Sequence, residues 1–426
     1  MSIDSFVQLK QEIAKSYPDF EPRATQAWSE ILEELAQVTR DIAEQGPSYL
    51  PIVDYSELQT LSPEKLSELK RKGSFVIRNV VPRDEAEGYK SGLDKFVSSN
   101  PDVEGTPENN PQYFQIFHTK PQILARSHPN VLATQTWCNN LYTHSSDKEP
   151  VNLDEPLTYI DRFRIRQPGF AWGAHPPHMD GGSIERWQDA KFRSCFENVL
   201  KGDWRKHNPY SLKGRIGARI STKGLPNQAS IFRTFQGWLA LSDTSPREGT
   251  LKVFPDILLS TAYIMLRPFF SATTETSDPA YLKPDNWKFD LTSSTFHGVS
   301  RAADAGVSGA ARPFEFSDAT HPHMKLEETM ISVPTVHPGD MVFWQCDVVH
   351  AVEKEHIGKG DSSVMYIPAV PDCPQNAEYV EKQLELFLKG CPPPDFPQGR
   401  VETDYKLHGT IKDITNPAGR KALGVH

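Results

Sequence analysis

Between Leu157 and Pro368 the chain is cut into short apolar segments by turns rich in proline and glycine, and this limits its fold more than any other feature. Residues 159–166 read as a strand ended by Gln167-Pro168-Gly169, and residues 232–241 as another, followed by the turn at 245–249. Residues 250–254, 330–334, 341–344 and 363–368 complete the series, with a His337-Pro-Gly-Asp340 turn dividing two of them. Many short strands with such punctuation predict a sandwich or barrel.

Upstream the pattern is helical. Trp28, Ile31, Leu32, Leu35, Val38 and Ile42 recur with the three- and four-residue spacing of one helix face, so the first 45 residues predict a helix packed on the outside of a core. Residues 63–72 and 121–142 predict further helices, 73–81 a buried strand and 98–112 a loop. At 426 residues, 38% of them apolar, the chain can bury a large core. We expect one elaborated domain: a mostly helical extension over 1–150, a β core over 157–370 and a C-terminal extension of turns and extended chain over 371–426.

Charge narrows the function. The net charge of -9 is spread along the chain, and no Lys/Arg-rich stretch offers a face for phosphates, so no nucleic-acid partner is expected. No run of about 18 apolar residues predicts a membrane span, and the N-terminus lacks the basic and apolar regions of a secretory signal. Five dispersed cysteines without a CxxC pair argue against a disulfide framework or structural zinc; the expected compartment is reducing, the cytoplasm.

The chemistry centres on Gly173-Ala-His-Pro-Pro-His178-Met-Asp180-Gly-Gly182. In extended chain, residues two apart face the same side, so His178 and Asp180 can offer a nitrogen and an oxygen to one ion. The missing ligand is expected from His350, where the apolar strand launched by the His337–Asp340 turn emerges. Two imidazoles and one carboxylate leave coordination positions open, which suits iron(II). Other readings stay open at this point. His175 is an alternative ligand, and His321 with His323 forms a second His-x-His pair suited to a cupin-like site. His297 and His356 read as surface or satisfied polar residues, and His350 can be a strand-end histidine bonded to backbone.

Residues 236–255, with Trp238 on a strand, a Gly249-Thr-Leu turn and a strand ending at Pro255, resemble the middle of phytanoyl-CoA hydroxylase-like oxygenases. The whole chain more closely resembles the YbiU-like family of iron/2-oxoglutarate oxygenase-like proteins, long labelled a domain of unknown function. The matching pieces are residues 113–117, 161–169, 185–187, 232–238, 361–368, and 376–379 through 393–396. The resemblance implies a double-stranded β-helix, a jelly-roll or cupin-like barrel of α+β, mainly β character, with N-terminal and flanking helices. It implies Fe(II) on His178, Asp180 and His350, 2-oxoglutarate as co-substrate, O2, and a small-molecule substrate oxidised at a C–H bond with release of succinate and carbon dioxide. Some fungal relatives are implied to act on free amino acids, including aziridine formation from valine.

One departure from the wider pattern stands out. The arginine expected about ten residues after the second histidine, which pairs with the far carboxylate of 2-oxoglutarate, is missing from residues 356–363. A buried dicarboxylate still needs a cation. Arg164 or Arg166, Arg233 and Lys359 are the candidates, each with a structural salt bridge, for instance to Asp161 or Glu185, as the competing reading. Ser363 can donate a hydroxyl, and Trp238 matches a tryptophan that contacts the co-substrate in the resembling proteins. Met341 and Phe343, on the strand before His350, are expected either to wall the substrate side or to belong to the core. The rival functions are a cupin-like metalloenzyme that does not use 2-oxoglutarate and a non-catalytic ligand-binding protein on a degenerate barrel.

Overall fold

The computed structural model describes residues 3–146, 149–173, 175–220, 229–299, 314–399 and 401–425. It is a mixed α/β fold around two main sheets. The larger has eight strands in the spatial order Ile52–Asp54, Ser74–Arg78, Met341–Gln345, Phe235–Ala240, Ser362–Tyr366, Phe163–Arg166, Tyr113–Phe114 and Gly105–Thr106. The smaller has five, in the order Phe314–Glu315, His178–Met179, His350–Val352, Leu251–Val253 and Ile331–Ser332. All neighbouring pairs are antiparallel except the first two strands of the larger sheet.

The larger sheet is buried on both faces. Val76, Trp238, Ala240, Val342, Trp344 and Val364 share one apolar core with Met179, Leu251, Val253 and Ala351 of the smaller sheet. Their alternates Phe75, Ile77, Phe235, Leu239, Met341, Phe343 and Met365 share a second core with helices Arg83–Ser99, Lys120–Ser127 and Pro129–Asn139. Because side chains alternate across a strand, each strand faces the smaller sheet with one set and the helices with the other.

Gly237 shows how tightly the helix-side face is filled. A Cβ there would meet Phe343 Cδ1 at 2.6 Å and the Ile367 carbonyl at 2.9 Å, so the Phe343 ring occupies the space that a side chain at 237 would need. Gly237→Val is expected to cost about 1–3 kcal/mol by overpacking, read as a lower urea midpoint; an unchanged midpoint would show that the ring has room to move.

The predicted apolar stripe forms as expected on helix Phe20–Gln45, which buries Trp28, Ile31, Leu32, Leu35 and Ile42, with Trp28 stacked 4.5 Å from Phe270. A break at residues 17–19 separates it from Ile3–Ser16, so the first 45 residues form two helices. Pro63–Lys72 matches its predicted span: Ser62 Oγ accepts from the Lys65 N–H, Pro63 opens the helix and Gly73 closes it at φ +71°.

Three findings depart from the sequence reading. The 1–150 segment is not only a helical cover, because Ser74–Arg78 pairs with Met341–Gln345 inside the larger sheet. Residues 121–142 split into two helices at His128-Pro129, since proline cannot continue the first. The C-terminal extension holds helix Pro374–Leu388, and helices Arg83–Ser99 and Ile257–Leu266 have no counterpart in the sequence reading. Ile257–Leu266 is buried almost throughout, so it lacks the polar face that periodicity detects.

Candidate metal centre

His178 and His350 face each other as directly paired residues of adjacent antiparallel strands in the smaller sheet. Their ring centroids are 4.2 Å apart. Asp180, two residues beyond His178, brings Oδ1 within 3.7 Å of His178 Nε2 and Oδ2 within 3.7 Å of His350 Nε2. The ligand atoms of the three residues lie within 4.8 Å of one another, and among the described residues this is the one such group of three.

Backbone carbonyls fix both rings. His178 Nδ1 lies 2.7 Å from the Pro176 oxygen and His350 Nδ1 lies 3.0 Å from the Val348 oxygen. A carbonyl only accepts, so each neutral ring carries its proton on Nδ1 and turns a bare Nε2 toward Asp180. Burial, and then the neighbouring His178, pushes the His350 imidazole down to about 3. Burial works to raise the Asp180 carboxyl, but His350, His178 and Arg233 outweigh it and hold it at about 2. At neutral pH His350 is therefore an uncharged donor and Asp180 an anionic one, the forms a metal requires. Two imidazole nitrogens and a carboxylate oxygen fit iron(II) with positions left for other ligands.

A buried ion-pair chain holds the two halves of this group together. Arg186 donates to Asp347 Oδ1 at 2.7 Å and, through its other terminal nitrogen, to the Asp180 carbonyl at 3.2 Å. Arg215 lies 2.6 Å from Asp347 Oδ2. Asp347 stands three residues before His350, so Arg186 ties the Asp180 turn to the approach of His350.

The remaining predicted residues divide. Trp238 faces the smaller sheet between Val342 and Tyr366. Arg164 is on the same face, with Nη2 donating to the Gly249 carbonyl at 3.1 Å and a buried Nε without a partner. Arg166 is bound to the carbonyls of Phe170, Glu353 and Lys354, which makes it structural; its partners are these rather than Asp161 or Glu185. Arg233 is half-buried just before strand Phe235–Ala240, and its charge helps to lower the Asp180 carboxyl. Lys359 is exposed on a turn outside the sheets and does not join the group.

Ser363 is on the helix-side face. Its backbone N–H donates to Ser242 and its hydroxyl to Asp361, whereas the hydroxyl facing the smaller sheet belongs to Ser362, buried and without a partner. Met341 and Phe343 also belong to the helix side, packed with Phe75 and Phe235, so they are core and do not wall the metal group. On the opposite face Trp344 stands beside the metal group, its ring 5.4 Å from His350, with Val342 in the same core.

His175 is outside the ligand group. Its ring lies 5.8 Å from that of His178, and Nδ1 accepts from the Trp172 indole at 2.8 Å. His321 and His323 are buried elsewhere, against Phe316 and beside Tyr263 respectively. His297 lies 6.5 Å from His321, and His356 is buried with Nδ1 accepting from the Gly358 N–H. Sequence reading missed Trp344, Ser362, Gln236, Arg186 and Asp347. The strand Met341–Gln345 is buried on both faces, so nothing in its composition marks which side its tryptophan takes.

The sequence pattern of the Gig2-like family matches residues 3–425. The uncharacterized protein YbiU of Escherichia coli K12 is 30% identical over 98% of this chain and 95% of its own length. The crystal structure of GlcNAc Inducible Gene 2 from Candida albicans is similar with a TM-score of 0.85 and 32% identity, over 99% of this chain and 89% of that one. The crystal structure of the Escherichia coli hypothetical protein JW0805 is similar with a TM-score of 0.81 and 29% identity, over 99% and 97%. No helix among the described residues is long and apolar enough to cross a membrane.

Proposed function

Because the chain belongs to the Gig2-like family, as its YbiU-like resemblance anticipates, we propose that it is an iron(II)- and 2-oxoglutarate-dependent oxygenase acting on a C–H bond of a small molecule. The observation that carries this reading is the meeting of His178, Asp180 and His350, with both Nε2 atoms turned toward one carboxylate.

Strand order supports the double-stranded β-helix that the resemblance implies. In chain order, Phe163–Arg166, His178–Met179, Phe235–Ala240, Leu251–Val253, Ile331–Ser332, Met341–Gln345, His350–Val352 and Ser362–Tyr366 fall in the larger, smaller, larger, smaller, smaller, larger, smaller and larger sheets. The His-x-Asp and the second histidine are then contributed by neighbouring strands of the smaller sheet.

Arg164 supplies the cation missing after His350. It is the cross-strand partner of Val364, just beyond the stretch where the arginine is absent, and lies on the same face of the adjacent strand. Its unpartnered Nε and the free hydroxyl of Ser362 are the donors a far carboxylate needs, with Trp238 on the next strand over. When bound, iron(II) with 2-oxoglutarate and dioxygen supplies the oxidising power and releases succinate and carbon dioxide. The chain's own part is to hold the ligands through the Pro176 and Val348 carbonyls, clamp the co-substrate and keep the core dry. A free amino acid in the cytoplasm, hydroxylated or closed to an aziridine, is the substrate this reading takes from the resemblance.

Anaerobic addition of iron(II) and 2-oxoglutarate is the test. A weak visible charge-transfer band is expected, and Arg164→Met should weaken 2-oxoglutarate binding by about tenfold or more, the size of one charged hydrogen bond. Tight metal binding with no band would favour the cupin-like reading. A band with no succinate formed under oxygen would leave a ligand-binding protein.

A further inference from the structure

The face of the larger sheet that looks at the metal group carries a second set of unpartnered donors, separate from Arg164 and Ser362. Gln236 and Trp344 are direct cross-strand partners, exposed by only 5% and 4%, and Gln236 Nε2 and Trp344 Nε1 are buried without a hydrogen-bond partner. The Trp344 ring is 5.4 Å from that of His350. Ala240, in the row of Val364 and Arg164, lies four residues along the strand from Gln236, about 13 Å away at the usual rise per residue. The two donor sets therefore occupy different ends of the face.

Arg233 enters at the Gln236 end. Its carbonyl accepts from Cys346 Sγ at 3.3 Å, two residues beyond Trp344, and its positive charge helps to lower the Asp180 carboxyl. An indole N–H, an amide NH2 and a guanidinium are donors only. Buried donors left unpaired are costly, so the indole and the amide call for a group rich in acceptors, and the positive charge of the half-buried Arg233 favours an anion.

We propose that Gln236, Trp344 and Arg233 form the substrate subsite beside the metal group, and that it takes a carboxylate carried by the small-molecule substrate. This assignment rests on the oxygenase reading, and it moves Arg233 from the co-substrate to the substrate.

The probes are short aliphatic carboxylic and amino acids, each paired with its primary amide, which keeps the shape and removes the charge. They are added to protein loaded with manganese(II) and 2-oxoglutarate, and enhanced proton relaxation of the probe reports binding near the metal. Acids are expected to bind about tenfold more tightly than their amides. Trp344→Phe and Arg233→Gln should each remove most of that preference while 2-oxoglutarate affinity stays within about twofold. Amides matching acids, no acid relaxed by a loaded protein, or variants that lose 2-oxoglutarate instead would each overturn the subsite. If the wild-type protein takes up neither manganese(II) nor 2-oxoglutarate, the oxygenase reading fails first.

Discussion

Lowering the pH from 7 to 5 is expected to destabilise this fold by about 6 kcal/mol. Four histidines away from the metal group, His118, His207, His321 and His323, are buried. Burial pushes His118 and His323 down to about 3, His207 to about 4 and His321 well below the ordinary range. Each folded-state value lies below the unfolded value of about 6.5. The unfolded chain therefore takes up protons first, and stability present above pH 6.5 is lost as the pH falls toward the folded values. Each imidazole costs about 1.4 kcal/mol per pH unit across that window.

Glu402 works the other way. Burial pushes its carboxyl up to about 7, despite N–H donation from His118 and Phe117, so between pH 7 and 4.5 the folded chain holds a proton that the unfolded chain has released. Four imidazoles against one carboxyl leave a net loss of about 4 kcal/mol per pH unit below 6.5. From pH 6.5 to 5 that is a loss of about 6 kcal/mol, a large part of a total stability of about 5–15 kcal/mol. Calorimetric melting from pH 7.5 to 4.5 reads this directly, and a melting temperature that stays level to pH 4.5 would mean that these rings accept protons in the folded state.

Asp347→Ala is expected to cost about 3–5 kcal/mol, the range for breaking a buried ion pair from one side. Arg186 and Arg215 would be left facing each other with the carboxylate gone, at 2% and 7% side-chain exposure. Burial works against the Asp347 anion, yet Arg215 and Arg186 together hold its carboxyl well below the usual carboxylate range, so in the native chain the anion is firmly kept. Arg186 also donates to the Asp180 carbonyl, so its displacement should loosen one ligand relative to the other two. Urea unfolding reads the first effect, and manganese(II) titration followed by electron paramagnetic resonance reads the second. Metal affinity should fall by about 10–100-fold, the usual size when the support of a ligand is removed. A variant within about 1 kcal/mol of the wild type would show that the pair contributes no more than a surface salt bridge.

Much of the site is legible in the chain because it is local. His178 and Asp180 stand two apart in extended chain, and that spacing alone puts them on one side. The Trp28 stripe and the Ser62 and Gly73 caps are likewise short-range patterns, and their helices appear where expected. The apolar strand leading to His350 is bounded by a Gly339-Asp340 turn, whose Asp340 carboxylate accepts from the His337 N–H at 2.8 Å.

The choice of face accounts for much of the rest. Ser363 faces the helices and Ser362 the smaller sheet, and of the two readings open for Met341 and Phe343 the core one holds, with Val342 and Trp344 on the other face. In a strand the side-chain period is two, so a shift of one residue exchanges the faces completely. Alternation reveals the face only where one side is wet, and Met341–Gln345 is buried on both.

What the sequence determined by itself is whatever a few neighbouring residues can encode: the caps, the turns, the short strands and the His-x-Asp pair. That His350 lies opposite His178, that Arg164 pairs with Val364, and that Arg186 reaches Asp347 were decided by strand register and packing across more than 150 residues. The physical reason is that these are pairings between segments that meet only after both sheets close, and no local preference of either segment fixes which partner it will meet.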